Sequence, residues 1–213
     1  MAAVKSSAST KLTRRERAQA TRFRITKAAY VLFCERGLSG TTMADVAKAA
    51  GVAVQTVYFV FHTKSELLSG AYDFAVLGEK EPLPPELQPW YAQMTAEPEL
   101  TEALRPVVRG IGAILARATP LDTVVRAAAA SDSDAARIRA RHEGWRADGY
   151  RRMLDILRSK SDLRDGVSAQ RATELLLLYI GMDTYRVLVL DLGWSHDDWI
   201  DWTVATVAEQ VFA

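Results

Sequence analysis

Residues 42–64 read TMADVAKAAGVAVQTVYFVFHTK, and their reading decides the fold. Met43, Val46, Ala47 and Ala50 recur at the i, i+3, i+4, i+7 spacing that gathers apolar side chains on one helical face. Gly51 follows where a left-handed residue closes a helix. A second short helix is predicted to start near Ala53, burying Val52, Val57 and Phe61 and turning Gln55, Thr56 and Tyr58 outward. Two short helices joined by a tight glycine turn match a helix-turn-helix, whose second helix enters the major groove of DNA.

Working outward, Thr13-Arg14-Arg15-Glu16 has the capping-box pattern in which Thr13 accepts from the Glu16 N–H and Glu16 reaches back. It opens a helix predicted to run to about Glu35, with Ile25, Ala28, Ala29, Leu32 and Phe33 buried and Arg15, Arg22 and Arg24 free to approach phosphates. Thr42 to Asp45 and Thr63 to Glu66 repeat the pattern. The last of these opens a fourth helix through Leu67, Leu68, Ala71, Phe74 and Ala75.

Charge is distributed unevenly. The chain of 213 residues has a formal net charge of +1, yet residues 1–64 hold eleven cations and three anions, so this third carries +8 and the remainder −7. Such asymmetry is expected when one domain faces a polyanion. Residues 1–12, MAAVKSSASTKL, lack the apolar centre of a secretory signal and read as a flexible basic arm. Cys34 is the single cysteine, so no disulfide framework within one chain is expected and a reducing, cytoplasmic setting follows. The longest apolar run, residues 175–182, is far short of the ~20 residues of a membrane span, so no membrane association is predicted.

From Arg14 to Leu68 the chain resembles the N-terminal domain of TetR-type transcriptional regulators. Phe33, Gly37, Thr42, Val46, Ala47, Ala50, Gly51, Val52, Thr56, Tyr58, Phe61, Lys64, Leu67 and Leu68 fall in the family register. Ala53 replaces the usual N-capping Ser, a change expected to cost about 1 kcal/mol of local helix stability. Val60 replaces a usual His or Tyr. The resemblance implies a DNA surface formed by Thr42, Gln55, Thr56, Tyr58, His62 and Lys64. Gln55 and Thr56 would face base edges; Thr42, Tyr58 and Lys64 would meet phosphates.

The rest of the chain reads as helices. The three prolines of residues 78–85 end the fourth helix. Residues 99–118 show a wide apolar face, and Pro120 is expected to open a new segment. The run Ser131-Asp132-Ser133-Asp134 should start a long helix through Ile138, His142, Trp145, Met153 and Leu157. Residues 168–190 are apolar around nearly the whole circumference, which predicts burial on more than one side. Helix 196–212 carries two stripes, one with Trp199, Trp202 and Ala205, the other with Ile200, Val204, Val207 and Val211. One stripe can serve the core of the protomer, so the other predicts a homodimer, with Trp199, Trp202, Val204 and Val207 as candidate interface residues.

Large adaptable side chains point to an effector cavity in this second part. Its candidate lining is Tyr91, Met94, His142 and Trp145, with Met153, Tyr179 and Met182; Trp90, Tyr150 and Tyr185 belong to the same set. His62, His142 and His196 are too dispersed for a metal site, there is no phosphate loop or nucleophile elbow, and no cofactor or catalysis is expected. The fold class expected is all-α: an N-terminal three-helix helix-turn-helix DNA-binding domain plus a C-terminal helical ligand-binding and dimerisation domain. The boundaries are 1–12 for the arm, 13–62 for the DNA-binding domain, 63–78 for a connecting helix and 79–213 for the effector and dimerisation domain. The function expected is repression of transcription from a palindromic double-stranded DNA operator, relieved by a small apolar or aromatic ligand. Two alternatives stay open: an architectural DNA-binding protein without an effector, and a helical carrier or enzyme with an idle helix-turn-helix.

Overall fold

The computed structural model describes residues 13–78 and 83–213. Among these residues every regular element is helical, with one isolated antiparallel bridge between Leu163 and Phe212. The expected arm, 1–12, and the expected boundary at residue 79 lie outside the described residues.

Helix α1, Arg14–Arg36, begins with the predicted capping box: Glu16 N–H donates to Thr13 Oγ1 at 3.2 Å and Thr13 N–H to the Glu16 carboxylate at 2.6 Å. Helix α2, Met43–Ala50, has the same device between Thr42 and Asp45. Gly51 closes it in the left-handed region, φ 65° and ψ 41°, with its N–H on the Ala47 and Lys48 carbonyls, a conformation glycine adopts without a Cβ clash. Helix α3, Val54–Val60, starts at Ala53 with no side-chain cap, as the missing Ser implied. Helix α4, Lys64–Leu77, is capped by Thr63, but the Glu66 carboxylate accepts from His62 N–H instead of closing the box.

Ile25 and Phe33 of α1, Val46 of α2 and Val57 of α3 are all fully buried and hold the first three helices around one core, at roughly 1.5–3 kcal/mol for each large side chain. Phe61 joins this core to α4. A Cβ at Gly70 would stand 2.8 Å from its ring, so the helix approaches as closely as it does because residue 70 has no side chain.

A short 3-10 turn, Pro85–Leu87, leads to α5, Pro89–Ala96, which the periodicity did not announce. Helix α6, Leu100–Ala129, then runs for 30 residues through both Pro106 and Pro120. The expectation that Pro120 opens a new segment is corrected: Leu121 and Val125 are fully buried and continue the stripe of Leu104, Val107 and Val108 past it. Burial on several neighbours outweighs the ~3 kcal/mol that an interior proline costs. Helix α6 packs against α1, α4 and α5, and against the later helices α7, Ser133–Leu157, and α10, His196–Val211. Gly112 admits Trp199 to the α6 surface; an added Cβ would lie 2.7 Å from the indole.

Residues 168–190 are not one helix. Helix α8, Ala169–Tyr179, ends at Ile180, and Gly181 in extended conformation starts α9, Met182–Tyr185, followed by a π-type turn Arg186–Asp191. The freed Ile180 carbonyl accepts from the buried Tyr150 hydroxyl at 2.5 Å, which gives the break a partner inside the protein.

Helix α10 requires a second correction. Trp199, Val204 and Val207, expected as interface residues, are all buried within the protomer together with Ile200 and Val211. The two stripes therefore merge into one core face, and of the four candidates only Trp202 stays half-exposed, beside exposed Ala205.

Candidate nucleic-acid interface and effector cavity

The outward edge of α3 presents Gln55, Tyr58 and Phe59, with His62 exposed just beyond its end. Phe59 is 82% exposed and Tyr58 51%, which for aromatic side chains on one short helix marks a surface built to be covered. Sequence reasoning missed Phe59. Its signal was the helical spacing: four residues after Gln55, it shares that residue's face. Thr56 is half-buried, and so is Lys64 at the start of α4.

Thr42 is exposed, but its hydroxyl and its N–H both donate to the Asp45 carboxylate, at 2.5 and 2.9 Å. Those bonds hold Asp45 below the usual carboxylate range, first through the Thr42 hydroxyl and then through its N–H. Arg22, expected to be free for phosphates, is instead drawn inward: its guanidinium lies 4.3 Å from the Phe61 ring centroid and donates to the Val60 carbonyl at 3.4 Å. It braces the end of α3 against α1. Arg15 and Arg24 remain exposed on α1. Burial pushes the half-buried Cys34 thiol up to about 11, so it is no thiolate at neutral pH.

A cavity of about 540 Å³ lies between α4, α5, α6 and α7. Of the predicted lining, Tyr91, His142, Trp145, Met153 and Met182 do face it. Met94 and Tyr179 do not. Met94 is wholly buried in the core, and Tyr179 packs edge-on against Trp202 at 6.2 Å. Tyr185 is likewise elsewhere, 3.1 Å from His196 Nδ1. Tyr72, Asp73 and Val76 line the cavity from α4, and Arg146 and Tyr150 from α7. These α4 residues went unrecognised because helix periodicity cannot say which neighbour a buried face meets.

Tyr72, His142 and Tyr150 are the buried polar groups of the cavity wall. The Tyr72 ring stacks on the His142 imidazole at 4.0 Å between centroids, and its hydroxyl donates to Asp122 Oδ1 at 2.8 Å. Burial, then the Asp122 charge, raises the Tyr72 pKa. Burial likewise brings His142 down to about 4, with Arg141 adding to the effect, so the ring is neutral at pH 7. Asp73 stands 3.5 Å from His142 Nε2, and burial raises its carboxyl above the ordinary value.

Residues 25–71 match the family of bacterial regulatory proteins of the tetR type. That match covers 47 of the 213 residues, those of the N-terminal helices. Over 59 residues it is 42% identical to the HTH-type transcriptional regulator TtgR of Pseudomonas putida, a stretch that spans 28% of this chain and 28% of that regulator. Two solved structures share the fold of this chain over most of its length. NalD of Pseudomonas aeruginosa, described as the secondary repressor of a multidrug efflux pump, superimposes with a TM-score of 0.68 at 19% identity, covering 92% of this chain and 98% of NalD. FadR of Bacillus subtilis, solved with stearoyl-CoA, gives 0.68 at 16% identity, covering 86% and 96%.

Proposed function

We propose that this protein is a TetR-family homodimeric transcriptional repressor that holds a palindromic DNA operator through α3 and releases it when a small apolar ligand fills the cavity. One observation carries the reading. Helix α4 starts at Lys64 beside the DNA-facing edge and ends among the cavity walls, where Tyr72, Asp73 and Val76 stand. A ligand that moves α4 moves the helix-turn-helix packed on it, and only a ligand with different affinity for the two arrangements can shift the balance between them. The described geometry fits a division into a DNA-binding unit over 13–62, a connecting helix over 63–78 and an effector and dimerisation unit beyond.

Dimerisation is supported by the apolar surface left at the C-terminal side. Leu178, Leu190 and Leu192 are 52%, 48% and 64% exposed, and Trp194 contacts the half-exposed Trp202 edge-on at 6.1 Å. A water-facing patch of this kind is covered most economically by a second copy. Placing two α3 helices in successive major grooves requires that two-fold arrangement. The reading puts the protein in the cytoplasm with the DNA, acting by binding and not by catalysis; among the described residues no helix is long and apolar enough to cross a membrane.

The test is selection of duplexes from a random pool by the purified protein. A two-fold symmetric motif is the expected result. Enrichment of no motif would overturn the assignment, and a motif whose affinity no cavity ligand alters would leave an effector-independent DNA-binding protein.

A further inference from the structure

The cavity holds an imbalance among its charged groups that names the chemistry of its ligand. Four carboxylates line it. Glu86 pairs with Arg152, Asp148 with Arg151, and Glu143 with Arg139 at 2.5 Å. Arg146 also lines it, and among the described residues no carboxylate pairs with its guanidinium; its Nε is buried without an acceptor. One helical turn earlier on α7, His142 is 9% exposed, and its Nε2 is likewise buried without a hydrogen-bond partner. Residues at i and i+4 share a face. Both side chains therefore contribute to one stretch of a mostly apolar wall, and a guanidinium there without a carboxylate partner is a group that an anion would satisfy.

We infer that the ligand is an apolar acid, its carboxylate seated against the Arg146 guanidinium and the His142 imidazole and its ring or chain among Trp90, Ile114 and Met153. The inference rests on the reading that this cavity is an effector site, and it supplies that effector's class. A carboxylate satisfies the guanidinium with two acceptors on one plane, and the second lone pairs reach the imidazole N–H. Asp73 is the competing group, since it would attract a cation to the same wall. Its charge, however, is offset by the nearby Arg141 and Arg22 guanidiniums, whereas among the described residues no carboxylate pairs with Arg146. The unpaired guanidinium therefore decides the sign.

The experiment is calorimetric titration of the full chain, without DNA, with two series of matched probes: decanoate, decanamide and decylamine, and 2-naphthylacetate, its amide and the corresponding amine. In at least one series the acid should bind about tenfold or more tightly than its amide, with the amine weakest. Arg146→Met should abolish the acid's advantage while leaving amide binding and the thermal transition in place, and Arg146→Lys should restore part of it. Equal binding of acid and amide, tighter binding of the amine, no binding in either series, or an acid preference that survives Arg146→Met would each overturn the inference. Because DNA is absent, failure here is separable from failure of the repressor reading: an amine-selective cavity in a protein that still selects an operator sinks only the acid.

Discussion

The Tyr72 hydroxyl on α4 donates to Asp122 Oδ1 on α6 at 2.8 Å, and Arg126 extends the same contact to Asp183 on α9 at 2.8 Å. Asp122 is only 6% exposed, and its other oxygen has the longer contact to Arg126 at 3.5 Å. The cavity wall, the central helix and the segment beside the exposed apolar patch are thus tied by one chain of polar contacts. Tyr72→Phe removes the donor and keeps the ring on His142. It should lower stability by about 1–3 kcal/mol, because a buried carboxylate loses its best partner. Urea unfolding would measure this, and an unchanged midpoint would show that Asp122 is hydrated in solution.

His142 should make stability depend on pH over a defined window. Its folded value, about 4, lies below the ordinary 6.5, so the unfolded chain binds the proton more readily. Stability from this group is complete above about pH 6.5 and is lost as pH falls toward about 4, by on the order of 2–3 kcal/mol. Tyr72, Asp73 and Arg141 face the ring, and a charge on Asp73 at 3.5 Å offsets part of that loss. Thermal unfolding of wild type against His142→Gln between pH 7 and 4.5 isolates the effect. Parallel curves would disprove it.

The oligomer should depend on the exposed patch and not on the buried stripe of α10. Leu190→Glu places a charge that each protomer would bury against its copy, costing several kcal/mol per dimer by an order-of-magnitude estimate. Sedimentation should then show folded monomers at micromolar concentration. Val204→Glu, by contrast, strikes the core of the protomer, because Val204 is 2% exposed, and should unfold it. A Leu190→Glu protein that sediments like a dimeric wild type would move the interface elsewhere.

Local signals in the sequence were read correctly where local physics decides. Thr13, Thr42, Thr63 and Asp132 all cap helices, because a side-chain oxygen three residues ahead of a free N–H needs no tertiary partner. What failed was whatever depends on a neighbour. Pro120 looked like a boundary until burial of Leu121 and Val125 kept α6 intact. The 168–190 stretch read as one helix because the Tyr150 hydroxyl that stabilises the break at Ile180 comes from another element. Two of seven candidate cavity residues, Met94 and Tyr179, fell elsewhere, since an aromatic or Met side chain carries the same pattern in a core as in a cavity wall.

The DNA-facing edge of α3 should separate reading from anchoring. Gln55 and Phe59 share one exposed face, so on the proposed docking the amide would meet adenine and the apolar ring a thymine methyl. Gln55→Ala should lose about 1–3 kcal/mol of discrimination at particular base pairs with little change in non-specific affinity. Phe59→Ala should relax preference at a thymine, and replacing that thymine by uracil, which lacks the methyl, should cost the wild type and not the variant. Lys64→Ala should weaken all sequences alike and reduce the salt dependence by about one unit of slope per subunit engaged. Thr42→Ala should act mainly through the fold, because the lost hydroxyl accepts from the Asp45 N–H and donates to its carboxylate, and its removal uncaps α2. Binding measured across single-base operator variants at several salt concentrations sorts these outcomes. Uniform loss for Gln55→Ala would remove it as a reader, and an unchanged salt slope for Lys64→Ala would assign the phosphate contacts to α1, where Arg15 and Arg24 stand exposed.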